Sequence, residues 1–185
     1  MSIERQILPA LARQAIEEAL GAQQDGGLSA RHDADWLQAP GASFVTLTQQ
    51  GRLRGCIGTL EAHRALRIDV EANAVAAALH DPRFMPLQLR ELGSTRVEVS
   101  VLSAPESMPF DSEADALARL RPGLDGIVLQ YGSRRSTFLP QVWDQLPEPT
   151  EFISQLKRKA GLPDGFWHSQ ISLQRYTVAK YQETA

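Results

Sequence analysis

Cysteine is almost absent from this sequence. Cys56 is the single cysteine in 185 residues, so no disulfide can form within the chain, and a reducing, cytoplasmic location is expected. No run of about 18 apolar residues occurs, which argues against a membrane-spanning helix. Glu4 and Arg5 place charges early in the chain, so we do not expect a secretory signal peptide.

An excess of positive charge is also missing. The net charge is −3 and the isoelectric point is about 5.8. Without a broad cationic field, neither a nucleic acid nor an anionic membrane is an expected partner. The short basic runs at 134–135 and 157–159 are interpreted as solvated strand edges or helix ends.

Recognisable motifs for metals and cofactors are missing as well. The four histidines are not spaced as ligands on one helix or strand, and one cysteine cannot anchor a zinc cluster. The chain has no GxxxxGK phosphate loop, no GxGxxG fingerprint and no GxSxG nucleophile elbow. We therefore predict neither a cofactor nor a metal site.

What the sequence does contain is a series of amphipathic segments that predict an α+β fold. Apolar residues recur at helical spacing over 8–20 and 68–79, whereas residues 95–103 alternate in the manner of a half-buried strand. Hairpins are predicted over 43–57 and 127–139, since each pair of strand-like runs flanks a turn signal. Strands that come in hairpins favour antiparallel sheets flanked by helices over a doubly wound parallel sheet.

The remaining segments complete this prediction. Residues 22–42 are expected to form a long loop, and residues 112–120 a short helix. Another helix surrounds Phe152, with Thr150 as its expected N-cap and Gly161 as its C-terminal stop. Residues 171–181 are interpreted as one bulged final strand. Residues 1–185 would then form one domain, or two small subdomains that share a core.

The segment Arg54-Gly55-Cys56-Ile57-Gly58-Thr59 is the most unusual in the chain. Glycine permits close backbone approach, so exposed amides between Gly55 and Thr59 could hold an anion or an oxyanion. Arg54 would favour the thiolate of Cys56, which is the reactive form of the side chain. The competing interpretation is a small buried cysteine in a strand, with the glycines forming a bulge.

A second candidate segment, His80-Asp81-Pro82-Arg83-Phe84, closes the alanine-rich helix. His80 could act as a base, and Arg83 could anchor a carboxylate or a phosphate. The competing interpretation is helix termination, because a histidine favours the C-terminal dipole and Asp81 precedes a proline. Both interpretations stay open at this level.

Taken in order, these motifs resemble the AMMECR domain family. Phe44-Val45-Thr46-Leu47 and Leu53-Arg54-Gly55-Cys56-Ile57-Gly58-Thr59 are similar to its opening segments. Further matches follow in family order at 73–74, 80–84, 86–87, 98–103, 125–127, 139–142 and 159–163. No single motif is decisive, but the ordered set is specific and covers nearly the whole chain.

The resemblance implies a mixed α/β fold of two subdomains with a cleft between them and the cysteine motif near it. It also implies a likeness to protein A of the AmmeMemoRadiSam system, which groups such a protein with a Memo-type protein and a radical-SAM enzyme. The family carries no established reaction, substrate or cofactor. Because the cysteine motif is typical of the family, the resemblance favours a functional role for Cys56 more than spacing alone does.

Two functional hypotheses follow. In the first, an unknown small anionic or carbonyl-bearing molecule binds in the cleft. Cys56 is then the nucleophile or covalent anchor, and His80 is the base. The ligand-binding residues would be Arg54, Gly55, Ile57, Gly58, Thr59, Asp81 and Arg83. In the second, the chain is a non-catalytic partner or scaffold module for the Memo-type and radical-SAM proteins.

Overall fold

A computed structural model describes residues 4–22 and 34–183 of the protein. Helices and antiparallel sheets make up these residues, so the predicted α+β class is confirmed. The chain forms two compact units. The first comprises Met1–Leu102 and Ala179–Ala185, and the second comprises Ser103–Val178.

The first unit holds most of the segments that the sequence singles out. Its elements are α1 (Glu4–Ala19), α2 (Asp35–Gln38), β1 (Pro40–Gln49), β2 (Arg52–Gly58), β3 (Arg64–Ala65), α3 (Leu66–Leu79), a 3₁₀ helix (Leu89–Ser94) and β4 (Thr95–Leu102). The last strand, named β9 below (Val178–Gln182), joins the same sheet. The strand order is β2-β1-β4-β9, and β3 pairs with β1.

The predicted hairpin forms between β1 and β2. Gln50 and Gly51 both have positive φ angles, 51° and 76°, which is the backbone of a tight turn matched to the twist of antiparallel strands. The register slips once, because Leu47 faces Gly55 while Thr48 faces Leu53. Arg54 is therefore the extra residue of a β-bulge.

Alternation along the strands separates the two faces of this sheet. Val45, Leu47, Val97 and Val99 are buried in one apolar cluster together with residues of α1 and α3. The intervening residues of the same strands point to the opposite face, since successive side chains alternate. One face thus belongs to the core, and the other is available to polar side chains.

Arg13 and Glu183 tie the first helix to the end of the chain. The Arg13 guanidinium forms an ion pair with the Glu183 carboxylate and donates to the Thr95 carbonyl at 2.6 Å. Glu183 also accepts a hydrogen bond from the Val97 amide at 3.0 Å. These contacts hold α1, β4 and the residue after β9 together within the first unit.

The second unit has its own sheet and core. Its elements are β5 (Glu106–Ser107), α4 (Glu113–Arg119), β6 (Gly126–Tyr131), β7 (Arg134–Phe138), a 3₁₀ helix (Pro140–Asp144), α5 (Pro149–Lys159) and β8 (Ser172–Tyr176), with strand order β5-β8-β6-β7. Trp143 stacks on Phe152 at a centroid distance of 3.8 Å in the middle of its core.

Three sequence-based boundaries differ from the structure. Thr150 lies inside the first turn of α5, and Glu148 occupies the N-cap position because Pro149 begins the helix. The final segment is two strands rather than one, since β8 and β9 belong to different sheets. Within residues 22–42, α2 and the start of β1 replace part of the expected loop, and residues 23–33 lie outside the described residues.

None of the helices in the described part of the chain combines the length and the apolar character needed to cross a membrane.

Substitution of Gly55 tests the packing of the hairpin on α3. A Cβ atom at Gly55 would stand 2.1 Å from the Ala77 carbonyl oxygen, which is backbone and cannot rotate away. We expect Gly55→Ala to lower the free energy of unfolding by about 1–3 kcal/mol, measured by urea denaturation. Gly93→Ala is the matched control, because an added Cβ there meets no atom within 4 Å. Equal stability of both variants would contradict the close approach.

Candidate functional site

The polar face of the first sheet carries the cysteine. The side of the sheet opposite the apolar core is called the polar face, and it is defined by Thr46, Thr48, Cys56, Arg96 and Glu98. Thr46 lies directly across from Cys56 on β2 and from Glu98 on β4. Hydroxyl, thiol and carboxylate side chains therefore form one row across three strands.

Cys56 is half-buried and has a hydroxyl neighbour. Its Sγ atom lies 3.3 Å from the Oγ1 atom of Thr46, and either atom can be the donor. A thiol of this kind is neither sealed in the apolar core nor fully exposed. The interpretation of Cys56 as a buried core residue is thus not what the structure shows, and the thiol stands on the polar face.

Asp81 and Arg83 occupy the outer edge of β2 at Cys56. The Cys56 amide donates to Asp81 Oδ2 at 2.8 Å, and Arg83 Nη2 donates to the Cys56 carbonyl at 3.2 Å. Arg83 also donates through Nε and Nη2 to the two Asp81 oxygens at 2.9 and 2.7 Å. β2 is an edge strand, so this ion pair takes the place of a neighbouring strand at Cys56.

Ionisation of the pair is strongly favoured. The hydrogen bond from Arg83 holds the pKa of the Asp81 carboxyl well below its usual range, and it outweighs the effect of burial. The same hydrogen bond raises the pKa of Arg83, and the nearby Cys56 side chain raises this pKa further. The guanidinium therefore stays charged beside Cys56.

Arg54, which was expected to activate the thiol, makes its contacts elsewhere. Its guanidinium donates to both oxygens of Glu91, at 3.1 and 3.2 Å, and to the Met85 carbonyl at 3.0 Å. This pairing also lowers the pKa of Glu91. The bulge at Arg54 directs its side chain to the Met85–Glu91 segment, and Arg83 is the arginine that lies next to Cys56.

The two glycines admit close packing of neighbouring protein atoms, where the sequence predicted either exposed amides or a bulge. The space beside Gly55 is filled by the Ala77 carbonyl, and a Cβ at Gly58 would fall 2.2 Å from the Phe44 ring. The Cys56 amide, expected to be open to an anion, is already bonded to Asp81. The glycines thus admit neighbouring protein atoms at both positions.

Thr59 belongs to a buried polar cluster that the sequence did not reveal. Its hydroxyl donates to Asp69 Oδ1 at 2.8 Å, and Arg64 Nε donates to the same oxygen at 2.8 Å. The amide and hydroxyl of Ser43 donate to Asp69 Oδ2, as does the Asn73 side chain. Asp69 is fully buried and satisfied by five donors. The Thr-x9-Asp-x3-Asn spacing was the only available signal.

No hydrogen bond or ion pair joins His80 to Cys56 among the described residues. His80 is exposed and lines a groove of about 760 Å³ between α1 and α3, together with residues such as Leu11, Ala15 and Ala72. No residue of β2 lines this groove. The structure therefore brings Asp81 and Arg83 to Cys56 but leaves the predicted base on another surface.

The remaining predicted positions have simple surroundings. Ile57 is partly buried and packs on the core of the first unit. Within residues 4–22 and 34–183, no three His, Cys, Asp or Glu side chains are grouped so that they could hold a metal ion.

Sequence comparison identifies the family of this chain. The AMMECR1 family model matches residues 9–181. The chain belongs to the AMMECR1 family. A protein of Methanothermobacter thermautotrophicus is 37% identical to it, over 97% of this chain and 94% of that protein. Protein SSO0193 of Saccharolobus solfataricus is 33% identical, over 96% of this chain and 81% of its own length.

A solved structure supports the fold. The crystal structure of the uncharacterised protein PH0010 from Pyrococcus horikoshii is similar to this chain, with a TM-score of 0.76 and 31% identity. The match covers 96% of this chain and 90% of the other.

Replacement of Asp81 tests the edge pair. We expect Asp81→Asn to lower the free energy of unfolding at pH 7 by about 1–3 kcal/mol, because it removes a buried charged partner of Arg83 and Cys56. Urea denaturation measures the loss. Asp144→Asn is the control, since Asp144 is an exposed aspartate.

The pH dependence gives an independent check of the same pair. The lowered pKa of Asp81 means that its stabilisation is fully present above the unfolded-state pKa of about 4 and is lost as the pH falls below that value. The difference between wild type and Asp81→Asn should therefore shrink between pH 5 and pH 2. A constant difference over this range would contradict the assignment.

Proposed function

We propose that the protein binds a small anionic or carbonyl-bearing molecule at Cys56 and uses the thiol as nucleophile or covalent anchor. The observation that carries this proposal is a half-buried thiol 3.3 Å from the Thr46 hydroxyl, on a residue whose carbonyl accepts a hydrogen bond from the exposed guanidinium of Arg83. The reaction would occur in the reducing cytoplasm, where a lone thiol persists.

Arg83 is the anion-binding group in this proposal. Its side chain is 54% exposed, and its Nε and Nη2 groups are held by Asp81 and the Cys56 carbonyl. Among residues 4–22 and 34–183, none accepts a hydrogen bond from its Nη1 group. Arg83 therefore has one fixed side and one side that can meet a ligand carboxylate or oxyanion.

The chemistry follows from these positions. The thiol releases its proton to solvent, and the thiolate attacks the carbonyl carbon of the ligand. An S–C bond forms as the C=O π bond breaks, and the electron pair of that bond moves to the ligand oxygen. Arg83 stabilises the resulting negative charge, and the Thr46 hydroxyl donates a hydrogen bond to the thiolate before attack. Arg54, His80 and the Gly55–Thr59 amides have no role in this step.

Alkylation with two reagents tests the site without knowledge of the substrate. Iodoacetate is an anion and iodoacetamide is neutral, so the ratio of their rates with Cys56 reports local charge and cancels accessibility. We expect Arg83→Gln to lower this ratio about threefold at pH 7, in line with the modest strength of exposed charge pairs. Arg83→Lys should retain most of the ratio.

An arginine in the other unit serves as the control for this experiment. Arg119→Gln removes an arginine that pairs with Asp115 on α4, in the other unit, and should leave the ratio unchanged. Full protection of Cys56 from both reagents would refute the proposal, as would an Arg83→Gln ratio equal to that of wild type. Once a substrate is known, Cys56→Ser should abolish turnover in a folded protein.

The packing of the two glycines supports a second candidate function. The packing of Gly55 against Ala77 and of Gly58 against Phe44 accounts for both glycines of the motif without any ligand. In this alternative the chain is a non-catalytic module that acts with a Memo-type protein and a radical-SAM enzyme, as protein A of the AmmeMemoRadiSam system. Complex formation would then tolerate Cys56→Ser, measured by co-purification of the co-expressed proteins.

A further inference from the structure

Three exposed apolar residues belong to the two segments that the Arg54–Glu91 ion pair joins. Leu53, Met85 and Leu89 are exposed by 43%, 81% and 49%, and we call them the Met85 patch. Single exposed apolar residues are ordinary on protein surfaces and need no explanation. A group of three, with methionine as the most exposed member, is typical of an interaction surface.

Hydrogen bonds join the segments that carry the three residues of the patch. Arg54, next to Leu53, donates to the Met85 carbonyl at 3.0 Å and to Glu91, two residues beyond Leu89. The Gln88 amide donates to Glu91 at 2.8 Å and fixes the start of the 3₁₀ helix that carries Leu89. The backbone beneath the exposed side chains is thus anchored, although the side chains themselves are exposed.

The surroundings of the patch are cationic in an otherwise acidic chain. Segments 49–58 and 81–94 contain four arginines but only two carboxylates. Both carboxylates are already paired, Asp81 with Arg83 and Glu91 with Arg54. Arg52 and Arg90 are exposed next to Leu53 and Leu89, and neither has an ion-pair partner within the described residues.

We infer that the Met85 patch is a docking surface for a partner protein that presents an acidic segment with apolar side chains. Charge complementarity selects the acidic character, because Arg52 and Arg90 are the uncompensated charges. The apolar side chains of the partner would cover Met85, Leu53 and Leu89. The inference stands on the patch alone and holds whether or not Cys56 reacts.

Labelled peptides test the chemistry of the partner. The first probe is a fluorescein-labelled peptide of Glu-Leu-Asp-Phe repeats, and the second replaces its acids with Lys and Arg. We expect the acidic peptide to bind, measured by fluorescence anisotropy, and its amide-resonance changes to map to residues 52–54 and 83–91. The basic peptide should not bind, and added salt should weaken the acidic complex.

Variants of the patch separate it from other apolar surface. Met85→Ser should weaken the acidic peptide about tenfold, as expected for loss of an anchor side chain. Ile68→Ser is the matched control, because Ile68 is 53% exposed on α3, outside the patch. Arg90→Gln should weaken binding and reduce its salt dependence. Near-ultraviolet circular dichroism and unchanged Cys56 alkylation would show that each variant is folded.

Several outcomes would overturn the inference. One is the absence of binding up to millimolar peptide, and another is equal binding of the acidic and basic peptides. Equal loss with Met85→Ser and Ile68→Ser would assign binding to general hydrophobicity. Sedimentation with phosphatidylglycerol vesicles that is abolished by Met85→Ser, without peptide binding, would assign the patch to a membrane surface instead.

Discussion

Two buried carboxylates at opposite ends of α3 determine the geometry of the cysteine segment. Asp69, in the first turn of the helix, holds Thr59, and Asp81, just beyond its last turn, holds the Cys56 amide. Each carboxylate is buried and satisfied by several donors, so breaking either contact would leave an uncompensated charge. The segment from Cys56 to Thr59 is therefore fixed to the helix at two points.

This attachment explains why the segment needs glycines. A helix held so close to the hairpin brings the Ala77 carbonyl against Gly55, where any side chain would collide with it. On the other face, the Phe44 ring covers Gly58. The glycines thus permit the packing, and the side chain left between them on the polar face is the thiol. Structural and functional interpretations of the motif are compatible, since the same packing that requires glycine also positions Cys56 beside Arg83.

Much of the fold followed from periodicity, whereas the site followed only in part. The β1–β2 hairpin, α3 and β4 were predictable because their apolar residues repeat at the period of a single element. The final segment was misread because the shift of its apolar phase, which predicted a bulge, instead marks the change of sheet between Tyr176 and Val178. Arg83 could not be preferred over Arg54 because the bulge that diverts Arg54 depends on the register with β1. The Asp69 cluster joins residues 43, 59, 64, 69 and 73, a set that tertiary structure alone brings together.

The Asp81–Arg83 pair has a consequence for the behaviour of the protein in a crowded cell. An edge strand offers unpaired amide and carbonyl groups to any other extended chain, and edge-to-edge pairing is a common route to aggregation. Here the side chains of Asp81 and Arg83 use both main-chain groups of Cys56. They also place a fixed positive charge at the rim of the sheet. Another strand can pair with β2 at Cys56 only by displacing this ion pair, so the contact that holds Cys56 in place also hinders strand addition at this point of the edge.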